Sequence, residues 1–83
     1  MLEIPFLKVI DATYEHDYVL RLTFNTGEVR LCDFLPLSQK DVCRKLQDLE
    51  YFKRFSLDSY TINWNKEISF VPEFLFEVST PIL

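Results

Sequence analysis

The stretch from Tyr18 to Phe34 constrains the fold more than any other part of the chain. Tyr18, Leu20, Leu22 and Phe24 alternate with polar residues, Asn25-Thr26-Gly27 follows, and a second alternating run passes through Val29 and Leu31. A period of two puts one face of a strand against a core and the other in water, and two such runs around a short glycine-containing segment read as a β-hairpin. Gly27, the sole glycine, stands where a tight turn needs positive φ. On this reading Leu20, Leu22, Phe24, Val29 and Leu31 share the covered face, and Arg21, Thr23, Glu28 and Arg30 share the wet one.

A run from Phe6 to Tyr14 precedes the polar turn Glu15-His16-Asp17, so the hairpin is expected to be part of an antiparallel meander of three strands. Pro36 ends the strand pattern, and Ser38 followed by Asp41 resembles a capping box. A helix is predicted from about Ser38, with Val42, Leu46, Leu49, Phe52 and Phe55 as its apolar stripe, and Asp48-Leu49-Glu50 reads equally as a break that starts a second short turn of helix; Leu46 and Phe52 complete the expected core. Strand chemistry returns around Phe55 and Leu57, at Thr61-Ile62-Asn63-Trp64 and at Ile68-Ser69-Phe70, with turns at Asp58-Ser59 and Asn65-Lys66. Val71-Pro72-Glu73 then opens a short terminal helix, since proline fits a first helical turn, where its missing N–H is not needed. The expectation is one α+β domain spanning residues 1–83: an antiparallel sheet of four or five strands, one main helix on one face, and a short C-terminal helical turn.

At 83 residues there is room for one core, and a chain this short must use large apolar groups well. Eight Phe, four Tyr and one Trp provide them, which argues against disorder. A net charge of −4 disfavours direct nucleic-acid or anionic-membrane binding. Lys40, Arg44, Lys45, Lys53 and Arg54 interleave with Asp41, Asp48 and Glu50, the pattern of a mixed solvated face. Met1–Phe6 carries an acid where a secretory leader needs positive charge, and no apolar run approaches the roughly 20 residues of a membrane span, so the cytoplasm is the expected compartment.

The residues that carry chemistry are few. Cys32 and Cys43 lack the spacing of a redox pair or zinc knuckle, and read as two reduced thiols. His16, the sole histidine, has no partner placed by any motif. Asp33, Glu67, Glu73 and Glu77 would need the fold to bring them together for metal or two-carboxylate work, and otherwise read as surface acids or helix-start carboxylates. Trp64 is either a core anchor or an interface ring. With one glycine no phosphate loop is possible, and no nucleophile elbow or metalloprotease string occurs. Neither a cofactor nor a metal is expected.

The segment Tyr18 to Phe34, the Pro36-Leu37 entry, Phe52 and Thr61-Ile62-Asn63-Trp64 together resemble the small bacterial family called domain of unknown function 2442, over a stretch from about Val9 to Phe76. Val29 to Phe34, Trp64 and Pro72-Glu73 carry the matching positions, whereas Asn65-Lys66 stands where the family usually has a glycine-containing turn, and Phe70-Val71 replaces an acid before proline. The resemblance implies a fold more than an activity. Its members are often encoded beside another small protein in arrangements that look like toxin–antitoxin pairs, and some carry a helix-turn-helix segment.

The expected function is therefore a non-enzymatic protein-interaction module, antitoxin-like, with Tyr60, Trp64, Glu67 and Glu73 as interface candidates. Its expected partner is a small basic protein from a neighbouring gene, steered by charge, with homo-oligomerisation open. Two alternatives are a small ligand-binding domain or enzyme built on acids such as Asp33 and Glu67, and a transcription-regulatory accessory that acts through a partner.

Overall fold

A computed structural model describes residues 7–82. The readings of Met1–Phe6 and of Leu83 lie outside the described residues. Three strands, β1 (Val9–His16), β2 (Val19–Phe24) and β3 (Val29–Asp33), form the predicted antiparallel meander. A fourth, β7 (Thr80–Pro81), pairs antiparallel with β3 to close a sheet of order β1-β2-β3-β7. A second antiparallel sheet of three short strands, β4 (Ser56–Leu57), β5 (Ile62–Trp64) and β6 (Ile68–Ser69), has the order β4-β5-β6. The described residues thus form an α+β fold with seven strands in two sheets, where a single sheet of four or five was expected.

The hairpin forms where predicted, but its second strand faces the other way. Phe24 N donates to Glu28 O at 2.9 Å and Gly27 N donates to Phe24 O at 2.9 Å, so the loop is Asn25-Thr26-Gly27, with Gly27 at φ 92°. An odd loop sets Glu28 directly opposite Phe24, and directly opposed residues share a face. Cys32 therefore lies opposite Leu20 and Arg30 opposite Leu22, on the core side. Val29 and Leu31, expected in the core, are only half-buried and share the outer face with Thr23 and Arg21.

Arg30, expected in water, is enclosed by partners. Its side chain is 11% exposed and pairs with Glu28 Oε2 at 2.7 Å. Its Nε donates to Ser79 Oγ at 2.8 Å, another guanidinium nitrogen donates to Ser79 O at 2.9 Å, and the guanidinium carbon sits 4.1 Å from the centre of the Phe76 ring. These contacts tie α2 (Pro72–Val78) and β7 to the hairpin. Pro72 stands at the start of α2 as expected.

The predicted main helix is absent. The chain instead makes two 3₁₀ segments, Leu37–Gln39 and Asp41–Gln47, then one turn of α-helix, α1 (Leu49–Phe52). The apolar residues explain the difference. A 3₁₀ helix has three residues per turn, so residues three apart stack on one line. Within Asp41–Gln47 that period turns Cys43 and Leu46 inward together, while extended backbone at Lys40 and Asp48 separates this segment from Leu37 before it and from Leu49 and Phe52 after it, all of them buried or half-buried. Val42, taken as the start of an α-helical stripe, is 80% exposed. Ser38 caps no helix; its buried hydroxyl donates to Leu35 O at 2.7 Å, and Asp48 caps α1 by accepting from Glu50 N at 3.1 Å. The Gln47 side chain donates to Ser38 O at 3.0 Å and Tyr18 Oη donates to Gln47 O, which pins the connector to itself and to the hairpin.

Between the sheets lies an aromatic core. Phe34, Phe52 and Trp64 are buried and lie 5.3–5.8 Å apart, with Tyr14, Tyr18 and Phe70 packed around them. Trp64 Nε1 donates to Phe52 O at 2.8 Å, which satisfies the one polar atom of the indole. Leu20, Leu22, Phe24, Leu46 and Phe52 are fully buried, as expected. No helix among the described residues is long and apolar enough to cross a membrane.

Candidate functional site

The loop Asp58–Thr61 and the start of α2 form the walls of a mainly apolar cleft of about 380 Å³, lined by Leu7, Lys8, Ser59, Tyr60, Val71, Pro72 and Glu73. Local chemistry holds the loop. Asp58 Oδ1 accepts from Tyr60 N at 3.0 Å and from Thr61 N at 2.9 Å, and these two backbone donors hold its carboxyl below the usual range. Tyr60 O accepts from Val9 N at 2.9 Å, which fastens the loop to the start of β1. Thr61 Oγ1 donates to Phe70 O at 2.7 Å, which fastens it to the chain entering α2. Tyr60 and Val71 are nonetheless 48% and 57% exposed, so the cleft presents apolar surface on a fixed frame. Glu73, in the first turn of α2, puts a carboxylate at its rim, with Lys8 as the opposing charge.

The four interface candidates separate. Tyr60 and Glu73 share this cleft. Trp64 is 1% exposed, which makes it a core anchor and not a partner-facing ring. Glu67 belongs to a different cluster: its Oε1 is 2.9 Å from Lys45 Nζ and 3.1 Å from Tyr51 Oη. Lys45 first, and the Tyr51 hydroxyl second, hold the Glu67 carboxyl below its ordinary value, and the same contact raises Lys45. Burial, followed by the hydrogen bond to Glu67, raises Tyr51.

Asp33 does not join Glu67, Glu73 and Glu77 in a shared site. Its Oδ1 accepts from Leu35 N at 3.0 Å, and among the described residues no three His, Cys, Asp or Glu side chains form a group able to hold a metal. His16 is exposed, with Nδ1 3.2 Å from Asp17 Oδ2. Cys32 and Cys43 are buried free thiols, and burial, followed by the neighbouring Asp33 charge, pushes Cys32 up to about 12, so it carries no thiolate at neutral pH.

A second cleft of about 380 Å³ opens between α1 and the second sheet, lined by Tyr51, Arg54, Ser56, Trp64 and Asn65. Its lip is the two-residue turn Asn65-Lys66, both at positive φ (55° and 61°), closed by Glu67 N donating to Trp64 O at 2.9 Å. The sequence shows this turn but not the cleft, because Arg54 and Ser56, at the entry to β4, meet Asn65 only through the pairing of the second sheet. Leu7, Lys8 and Val71 of the first cleft were missed for the same reason.

Two small antiparallel sheets joined by an aromatic core, with fixed clefts opening at their margins, define a small α+β domain of the kind that presents surface. The chain belongs to the family described as protein of unknown function (DUF2442), whose model matches residues 9–80, from the first residue of β1 to the first of β7. No curated protein and no solved structure matches it.

Proposed function

We propose that this chain is a non-enzymatic protein-binding module that receives a basic partner segment on the Tyr60 cleft. The supporting observation is the exposure of Tyr60 and Val71, 48% and 57%, on a loop and helix start that hydrogen bonds hold in place. A rigid apolar patch with a charged rim is the arrangement by which interfaces combine a desolvated anchor with charge steering. Glu73 at the rim, on a chain of net charge −4, favours a cationic occupant over an anionic one. Glu77, exposed one turn beyond Glu73 on α2, adds to the same field.

In the finer form of this reading the chain is the antitoxin-like member of a two-protein bacterial system, its partner is the small basic product of an adjacent gene, and the pair works in the cytoplasm. The chain itself turns over no substrate, because its sequence contains no nucleophile–base motif or phosphate loop. The test is co-expression with the neighbouring reading frame, followed by calorimetric titration of the purified pair. Tyr60→Ala should weaken the complex by about tenfold or more, the scale of an interface anchor, without lowering Tm. Rising salt should slow association more than it speeds dissociation. A complex that ignores both Tyr60→Ala and Glu73→Lys overturns the assignment to this cleft, and turnover of a small substrate lost on replacing Asp33 or Glu67 overturns the module reading.

A further inference from the structure

The second cleft differs from the first in charge. Residues 40–66 contain six of the nine Lys and Arg side chains but only four of the thirteen acids, so this part of the molecule is cationic on a chain whose net charge is −4. Several of these cations are already engaged. Lys45 pairs with Glu67, Arg44 pairs with Asp41, and Lys53 lies 5.1 Å from the centre of the Tyr14 ring. Arg54 is not: its guanidinium makes no ion pair, hydrogen bond or ring contact among the described residues, and it lines the cleft.

The other lining groups suit a planar anion. Asn65 brings an amide on the left-handed turn, and Lys66 follows it in the same turn. Ser56 Oγ is held only by a 3.4 Å contact to Asn63 Oδ1, long enough to be exchanged for a better acceptor. The Tyr51 hydroxyl already has two acceptors, Trp64 O at 3.2 Å and Glu67 Oε1 at 3.1 Å, and the Glu67 charge is compensated by Lys45. An arginine fork matches the two oxygens of a carboxylate in one plane, which a lysine point charge does not. The volume of about 380 Å³ lies at the lower end of the range of ligand pockets and fits one side chain with its flanking backbone.

We propose that this cleft binds the carboxylate side chain of an acidic peptide segment, with Arg54 as the bidentate donor and Ser56 and Asn65 as the hydrogen-bonding walls. The site is independent of the Tyr60 cleft and opposite to it in preferred charge.

Trp64 gives the test its readout. It is the sole tryptophan and borders the cleft from the core side, so a charge bound there shifts its emission. The probe is triglutamate at fixed ionic strength, set against trilysine and inorganic phosphate at matched charge. Triglutamate should give a saturable change with a dissociation constant of roughly 1–10 mM, the range of a single charged contact, and trilysine should give none. Arg54→Gln should raise that constant about tenfold or more, and Arg54→Lys should fall between the two, while Lys40→Gln, an equal change of charge away from the cleft, should leave it unaltered. The far-UV spectrum and Tm of each variant establish that it is folded. The proposal is overturned if triglutamate fails to saturate, if phosphate reproduces its effect, if Arg54→Lys binds as well as the native chain, or if Lys40→Gln weakens binding as much as Arg54→Gln. Because the readout needs no basic partner, failure here leaves the Tyr60 reading untouched, and success does not support it.

Discussion

The β2–β3 hairpin and the connector from Leu37 to Phe52 are both read from apolar spacing, yet they fail in different ways. In the hairpin the period is right and the parity across the turn is wrong: Leu20, Leu22 and Phe24 are buried, but a three-residue loop carries Arg30 and Cys32 to the core side in place of Val29 and Leu31. In the connector the helical character is right and the continuity is wrong: Cys43 and Leu46 lie three apart on a 3₁₀ segment, and extended backbone at Asp48 separates it from the α-helical turn that carries Leu49 and Phe52. Counting apolar residues finds an element. Counting the residues between them, across turns as well as within runs, sets its orientation.

Deleting Glu28 is the severest test of the parity rule. With the three-residue loop kept, Val29 would stand opposite Phe24 and Leu31 opposite Leu22, and Arg30 would swing away from Ser79 and Phe76. The loss should rival the whole stability of a domain this size, of order 5 kcal/mol, and appear as an unfolded circular-dichroism spectrum at room temperature. A cooperative melt near that of the native chain would mean that parity across the turn does not set the buried face.

Phe52→Ala comes next and tests the interrupted connector. The ring is fully buried and within 6.3 Å of four others, so removing it should cost about 3–5 kcal/mol in urea unfolding, whereas Val42→Ser, on the line an α-helix would have buried, should stay within about 0.5 kcal/mol. Equal effects would restore the α-helical reading.

Within the hairpin, Leu22→Ala should cost about 2–5 kcal/mol and Leu31→Ala clearly less, since the first is fully buried and the second lies on the open outer face. Reversed magnitudes would show that the face assignment is wrong. The smallest effect has the opposite sign. Lys66 adopts φ 61° in the β5–β6 turn, a conformation in which a side chain costs about 1–2 kcal/mol, so Lys66→Gly should raise Tm slightly, by up to about 1 kcal/mol in stability once the added freedom of the unfolded chain is subtracted. A drop in Tm would mean that the Lys66 side chain contributes more than its backbone strains.

Much of the fold was therefore legible, and the legible part is local. The three-strand meander, the turn at Asn65-Lys66, the strand at Ile62–Trp64 and the helix start at Pro72 each follow from neighbouring residues. What was illegible is non-local. Nothing near Thr80 announces its pairing with Leu31, and the enclosure of Arg30 depends on Ser79, 49 positions away. The clefts show the same limit. Tyr60 was picked out as an exposed ring and Glu73 as a rim acid, but Leu7 and Lys8 reach that cleft only because Tyr60 O accepts from Val9 N, and Arg54 meets Asn65 only because the β5–β6 turn folds back toward α1. Trp64 was ambiguous because aromatic rings suit both cores and interfaces, and the bond from its indole to Phe52 O decides the matter in favour of the core.

The first strand has a consequence for how copies of this chain behave at high concentration. β1 is the long outer strand of its sheet, eight residues with one side open, and a flat open strand is a template on which another molecule can stack. Its register against β2 slips once between Val9 and Asp11 and again between Tyr14 and His16, leaving Ile10 and Glu15 as extra residues and only Asp11 to Tyr14 in regular step. Each slip bends the strand and tilts its free amides out of line, and Asp11 and Glu15 add charges that an incoming identical strand would have to face. The irregularity therefore opposes the stacking of identical strands along this border.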